Sequence, residues 1–417
     1  MSEPQKSLYR WVPFGIVSAL FLFITASTFT SLGVVFPFMV EELGLDFTQA
    51  GLGFTILALM VGLAGQLPAW TIRKIGIKGT FLTGGASMGL GFGLLATAEG
   101  LYPYLVGAGL AGLGYTQLAS VPGIYVINRW VPDRQSFAIG AYFTIGGLGG
   151  IIGPSMVPAI VALTDSWRYH WWVMCVSVVV LSIGAALLIR NMPAGYDDEG
   201  GTPPQEEKLS ARVYRTKVSW TFRDAVRTPQ FAIITAAMTM TLFGAVSLNS
   251  WAVTHMGNMG VSIAFAAGAL SAHQAVNALS RALGGVLATR IDPKWLLVAA
   301  LGAETIGMIA LAYADNPLTI AIFAIGEGFG YGMCLFATAI LLLNYFGPDN
   351  NPELFGTLHL FTSVAAAGPV LGGFFGDTFG AFGGLFLIYA GVLAVVMAAA
   401  IWMRPPVKAD QPDMAGD

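Results

Sequence analysis

Apolar residues along this chain gather into runs of helix length, separated by short clusters of charged, proline and glycine residues. Breaking the sequence at those clusters gives twelve candidate spans: 13–40, 47–72, 79–98, 101–127, 135–163, 168–190, 229–255, 262–289, 295–314, 317–346, 353–376 and 380–403. Each is long enough to cross the roughly 30 Å hydrocarbon layer as an α-helix, and none shows the ten-residue alternation of a membrane β-strand. The first run is too long for a signal-peptide core, so it is expected to be retained as a span, with no separate targeting segment. Predicted is an all-α membrane protein.

Charge placement supports the even count. Lys6, Arg10, Arg73, Lys74, Lys78, Arg129, Arg134, Arg190, the basic residues from Lys208 to Arg227, Arg290, Lys294, Arg404 and Lys408 fall in loops on one side. The opposite loops hold Glu41, Glu42, Asp46, Glu99, Asp165, Asp315 and Asp377, with Arg168 as their single basic residue. Positive charge marks the cytoplasmic side, so both termini are expected inside a plasma membrane, a bacterial inner membrane by preference. The long hydrophilic stretch 191–228 divides six spans from six, which predicts an N-terminal half 1–190, a cytoplasmic linker and a C-terminal half 229–417. Paired halves of this kind are the repeat signature of many secondary transporters. The linker starts as a flexible acidic segment with Gly200, Gly201, Pro203 and Pro204; its basic continuation, with Val213, Tyr214, Trp220 and Phe222, suits the lipid surface.

Composition narrows the classes further. The 417 residues are 55% hydrophobic and 10% charged, against roughly 25% charged in soluble domains, and the net charge of −3 gives no reason to invoke nucleic acid. Cys175 and Cys334 lie within apolar runs and read as buried thiols rather than a disulfide framework. No cofactor is implied, no residues have metal-ligand spacing, and no nucleophile and base are paired, so an enzyme is not expected. The glycine runs at 107–114 and 146–153 fall inside spans, where they suit close helix crossings rather than nucleotide loops. Trp11, Trp70, Trp167, Trp171, Trp172 and Trp402 lie near span ends, as in an interfacial aromatic belt.

Candidate chemistry centres on Arg281, the only one of the 20 Lys and Arg residues placed in the middle of a span. A guanidinium there costs about 3 kcal/mol or more unless it meets a partner or a wet cavity, so it marks an anion site. His273 and Asn277 precede it at four-residue steps on the same helix face. Glu304 and Glu327 are the two acids within spans, and Tyr331 shares the face of Glu327 among four neighbouring glycines. Either acid is also a candidate structural partner for Arg281. Glu327, His273 and His359 are candidate proton-coupling groups. Phe29, Tyr115, Tyr142 and Trp251 are candidate cavity-lining aromatics, and together with Arg281, Asn277 and Tyr331 they form the expected substrate-binding set.

Two basic loops, 73–78 and 285–292, are similar to degenerate copies of the Gly-x-x-x-Asp-Arg-x-Gly loop of the major facilitator superfamily, with Arg73 and Thr289 in place of the usual Asp. The stretch 110–168, including Asn128-Arg129-Trp130-Val131-Pro132-Asp133-Arg134, resembles that superfamily's monocarboxylate-porter and oxalate/formate-exchanger branch. The run 32–44 and Arg227-Thr228-Pro229-Gln230-Phe231 point the same way. The resemblance implies twelve helices in two halves and alternating-access transport of a small organic anion, a monocarboxylate by preference, through proton symport. Exchange of anions and efflux of larger amphipathic compounds are the alternatives, and a monomer is expected. It also places Arg281 where that branch binds carboxylate. Asn277 stands where proton-coupled members often carry Asp, and Thr362 where oxalate exchangers carry Lys, so one carboxylate per substrate is expected.

Overall fold

The computed structural model describes residues 11–131, 135–189, 213–216, 218–288, 290–347 and 351–408. Sixteen α-helices are described: α1 (Trp11–Ser27), α2 (Phe29–Leu43), α3 (Phe47–Leu63), α4 (Leu67–Ala96), α5 (Leu101–Leu118), α6 (Ser120–Trp130), α7 (Gln135–Thr164) and α8 (Arg168–Leu188) come first. They are followed by α9 (Phe222–Val226), α10 (Pro229–Asn258), α11 (Ile263–Leu287), α12 (Pro293–Ala312), α13 (Pro317–Phe346), α14 (Asn351–Thr362), α15 (Gly368–Phe379) and α16 (Gly383–Trp402). No strand occurs among the described residues.

Among the described residues, ten stretches are long and apolar enough to cross a membrane. One of them, Phe47–Ala96, is two spans joined at Gly76, whose φ of 74° is open to glycine but strained for other residues. The basic 73–78 segment is thereby compressed into a turn. The one span still to be counted, eighth along the chain, is α11, long enough at 25 residues but absent from the ten because its polar stripe lowers its hydropathy. The fold is thus twelve transmembrane helices in two six-helix halves.

Four spans are broken. The first breaks at Thr28, where the Thr28 hydroxyl donates back to Ile24 O at 2.5 Å, a bond that competes with the helical ladder. The fourth breaks at Ala119, followed by Pro122 in the first turn of α6, where a missing N–H is harmless. The second and eleventh break at the 3₁₀ turns Ala64–Gln66 and Ser363–Ala367, each followed by proline in the first turn of the next helix. Three other helix starts carry matched caps: Thr228, Asp292 and Asn316 each accept an early backbone N–H and each precedes a proline.

Glycines set the packing within the halves. A methyl on Gly149 or Gly153 of α7 would strike the α1 backbone at Leu22 or Ala26, and one on Gly91 or Gly107 would strike the facing backbone of α5 or α4. The belt expectation holds for exposed Trp70, Trp172 and Trp402, whereas Trp167 and Trp171 are buried in the first half. Trp171 stacks on Phe92 at 5.5 Å and Trp167 donates to Glu42. The segment from Val213 to Trp220 also departs from its expected lipid surface. Val213 and Trp220 are buried, Thr216 N–H donates to Asn344 O at 2.8 Å, and Trp220 meets Phe346 at 5.4 Å, so this segment packs on the second half. The flexible segment expected at its start lies outside the described residues.

The halves join near the acidic end, through α2 with α10, α3 with α15, and α7 with α11. Gly33 abuts the Asn249 backbone, and Gly51 the Pro369 carbonyl, contacts that only a missing Cβ permits. Asp377 reaches from α15 to the N-terminus of α3 and accepts from Phe47 N–H at 2.9 Å and Thr48 N–H at 2.8 Å. Asp46 accepts from the next amide, Gln49, at 2.6 Å, so three orphan amides of α3 are satisfied, two of them by the opposite half.

Candidate functional site

The polar stripe of α11 faces α13. Gly328 and Gly332 make this possible, because a methyl at either would collide with the α11 backbone at His273 or Asn277. The close approach brings His273 Nε2 against Glu327 Oε2, with both side chains at most 1% exposed. The His273 ring lies parallel to Phe323 at 5.9 Å and to Tyr331 at 6.3 Å, held between residues one helical turn to either side of Glu327. His273 Nδ1 and Glu327 Oε1 have no hydrogen-bond partner among the described residues. Buried polar atoms left open in this way are uncommon and concentrate where protons or ligands come and go.

Arg281 continues the stripe toward the basic end. Its Nε donates to Asn277 Oδ1 at 3.0 Å, and Asn277 Nδ2 in turn donates to Gln274 Oε1 at 3.0 Å. The guanidinium carbon lies 5.6 Å from the centre of the Tyr331 ring, within cation–π range. Arg281 is exposed, yet it stands two residues from both Leu279 and Leu283, hence on the opposite side of the helix from that exposed apolar stripe. Its neighbour on the same side, Gln274, meets α7 of the first half: a methyl on Gly150 would lie 3.3 Å from the Gln274 side chain.

Neither acid pairs with the arginine. Glu327 is taken by His273, and the Glu304 carboxylate sits beside the Thr241 hydroxyl, 2.9 Å from each oxygen. Thr241 also contacts Cys334 Sγ at 3.1 Å. Among the described residues Arg281 has no carboxylate partner, and its charge faces an inter-half surface. A planar donor fork in that setting is suited to an incoming carboxylate.

The expected aromatics divide. Phe29, just past the Thr28 break, meets Tyr115 at 5.5 Å and Phe54 at 5.7 Å. Tyr142 is fully buried inside the first half, stacked on Phe21 at 4.7 Å and donating to Ala119 O at 3.1 Å. Trp251 is fully buried in the acidic-end seam, donating to Pro369 O at 2.8 Å and stacked on Phe382 at 4.9 Å. His359 is exposed on α14 beside Phe355 at 4.7 Å. The structure therefore brings together His273, Asn277, Arg281, Glu327 and Tyr331, and leaves Tyr142, Trp251 and His359 elsewhere. Gln274 and Phe323 join the cluster without having been singled out in the sequence. Gln274 was readable as the stripe's fourth polar residue; Phe323 carried no signal apart from its step of four before Glu327. Among the described residues no three His, Cys, Asp or Glu side chains form a metal-binding group.

Comparison with known proteins agrees with this architecture. The sequence profile of the Major Facilitator Superfamily matches residues 18–290 and 256–416. The multidrug resistance protein MdtG of Klebsiella pneumoniae (strain 342) is 24% identical over 415 residues, 95% of each chain. The uncharacterized MFS-type transporter YhjX of Escherichia coli (strain K12) is 24% identical over 75% of each chain. Among solved structures, the nucleoside transporter NupG superposes with a TM-score of 0.72 at 13% identity, over 94% of this chain and 99% of that one. A bacterial homologue of the human lysosomal transporter Spinster, inward-facing and unoccupied, gives 0.68 at 18% identity, over 96% and 95%. The relatives' names do not reproduce the monocarboxylate branch expected from 110–168. With a profile spanning both halves and a twelve-helix fold shared with solved transporters, this multi-pass membrane protein belongs to the major facilitator superfamily.

Proposed function

We propose that this transporter moves a small organic monoanion by alternating access, with the carboxylate held on Arg281 and the His273–Glu327 pair coupling the movement to protons. One observation carries the reading: Arg281 is an intramembrane cation with no acid partner among the described residues, on a helix face that looks toward the other half. Asn277 orients the guanidinium from behind, and Tyr331 joins it to the His273–Glu327 pair, so a change at one end reaches the other. Phe29 and Tyr115 supply the apolar wall opposite. Positive charge places the basic end in the cytoplasm, with both termini inside a bacterial inner membrane; the acidic-end seam then closes the outer side, and the chain acts as a monomer. The halves 1–190 and 229–417, joined by 191–228, are the bodies that rock.

The second reading is efflux of larger amphipathic compounds. It rests on the multidrug resistance names of several relatives and on the aromatic surface of the first half. Reconstituted vesicles separate the two. Under the anion reading, an inward proton gradient drives accumulation of a short monocarboxylate, and Arg281→Lys abolishes it while the protein still folds. Proton-driven extrusion of a lipophilic cation, unaffected by Arg281→Lys, would instead establish the efflux reading.

A further inference from the structure

Apart from the candidate site, the second half carries a lateral groove of about 720 Å³ at its basic end. Its floor is α10 from Phe231 to Met240, its sides include Phe361 of α14's end and Val396 of α16, and its mouth is closed by Phe222 and Val226 of the short α9. The groove is mainly apolar, with Thr235, Thr239 and Thr357 as its polar lining residues, and Phe361 and Val364 on its wall are more than half exposed. From Phe231 to Met240 the helix rises about 14 Å, close to the roughly 15 Å hydrocarbon depth of one leaflet.

The rim has the opposite character. Arg223 and Arg227 each follow one of the groove-facing residues Phe222 and Val226, about 100° around the helix, and both are exposed. Arg404 is also exposed and is held at the rim through the Gln230 Nε2 bond to its carbonyl at 2.8 Å. Among the described residues none of these three pairs with a carboxylate; the nearby acid, Asp224, is engaged by Lys408 at 3.7 Å. An apolar slot one leaflet deep, with unpaired cations at the headgroup level, complements a molecule with an acyl chain and an anionic head.

We infer that this groove is a binding site for an anionic phospholipid of the leaflet at the basic end, with an acyl chain along α10 and the phosphate between Arg223 and Arg227. Such a lipid would wedge between α10 and α14, the helix that runs into the 3₁₀ break at Ser363–Ala367, and so would favour one arrangement of that broken span.

Native mass spectrometry of the full, delipidated protein offered phosphatidylglycerol and phosphatidylcholine of identical chains tests the site. The wild type should retain phosphatidylglycerol over phosphatidylcholine by about thirtyfold, as expected for two cations at a headgroup. Arg223→Gln with Arg227→Gln should remove that preference but keep some binding of both lipids. Ala236→Trp, or Ala232→Trp if the former misfolds, should fill the groove and lower retention of both. Equal retention of the two lipids by wild type, a preference untouched by the double glutamine variant, or undiminished retention in the tryptophan variant would overturn the assignment. So would failure of the wild type to retain either lipid.

Discussion

The two halves share a helix plan but divide the chemistry between them. The second half holds all the charge that lies mid-span: Arg281 on α11, Glu304 on α12 and Glu327 on α13, with His273 against Glu327. The first half instead has Phe29 packed on Tyr115 and on buried Phe54, and its ion pair Arg168 with Glu42, at 2.9 Å, sits at the acidic end. The difference has a physical reason. Charges in low dielectric are tolerable only when held by neighbours with fixed geometry, and the glycines of α13 allow three helices to close around them. An aromatic wall needs no such framework. Under the proposed function, recognition of charge and proton coupling would fall to one half, and the shape of the substrate's apolar body to the other.

The contrast breaks most directly at the buried pair. Replacing His273 with Phe, or Glu327 with Leu, leaves the other partner buried alone and should destabilise the protein by about 3–5 kcal/mol, read as a drop in thermal unfolding temperature in detergent. The double variant should recover much of that loss. Glu327→Gln is milder and should fold; in vesicles it should bind substrate but fail to accumulate it on a proton gradient. Unchanged accumulation would move coupling to another group.

A smaller effect is expected at the seam. Asp377→Ala removes a carboxylate that accepts from two amides of the opposite half, solvent-exposed bonds worth about 0.5–1.5 kcal/mol each. Cysteine accessibility on the acidic-end side should rise at positions such as Asn249, which lies against Gly33 in the closed seam. A label pattern identical to wild type would show that the aromatic packing around Trp251 closes this end unaided.

The weakest effects belong to the first half. Phe29→Ala and Tyr115→Phe should change affinity for the smallest carboxylates by less than about fivefold, yet alter the ranking of substrates by the size of their apolar body, since one methylene is worth about 1 kcal/mol. Tyr142→Phe loses one hydrogen bond to Ala119 O and should cost about 1 kcal/mol of stability with transport unchanged. Tyr142 acting on substrate selection would erase the distinction between lining and packing drawn here.

Much of this could be read from the sequence, and the remainder could not for identifiable reasons. Span count and the polar stripe His273–Asn277–Arg281 follow from hydropathy and a step of four. The stripe itself is what removes α11 from the spans recognised by hydropathy alone. The partnership of His273 with Glu327 was hidden because it depends on the rotation of α13 against α11, which Gly328 and Gly332 set. Tyr142 and Trp251 illustrate the same limit: both are aromatic and lie within spans, and only packing onto Phe21 and Pro369 turns them inward. Asp377 reads as an ordinary loop acid until α3 is placed opposite it. The segment 213–222 has an amphipathic composition that suits lipid or protein equally well, and the end of α13 decides the matter.

The central claim is that one unpaired guanidinium recognises one carboxylate. It is tested most directly by equilibrium competition of mono- and dicarboxylates of matched size, at fixed pH, on purified wild type and Arg281→Lys. Monoanions with an apolar body should bind the wild type more tightly than fully ionised dianions, whose second charge would be desolvated without a partner. Arg281→Lys should lose about tenfold to a hundredfold in monoanion affinity, the equivalent of one charge-assisted bond of about 1.5–3 kcal/mol. Tighter binding of the dianion by wild type, or equal monoanion affinity in the two proteins, would contradict the account.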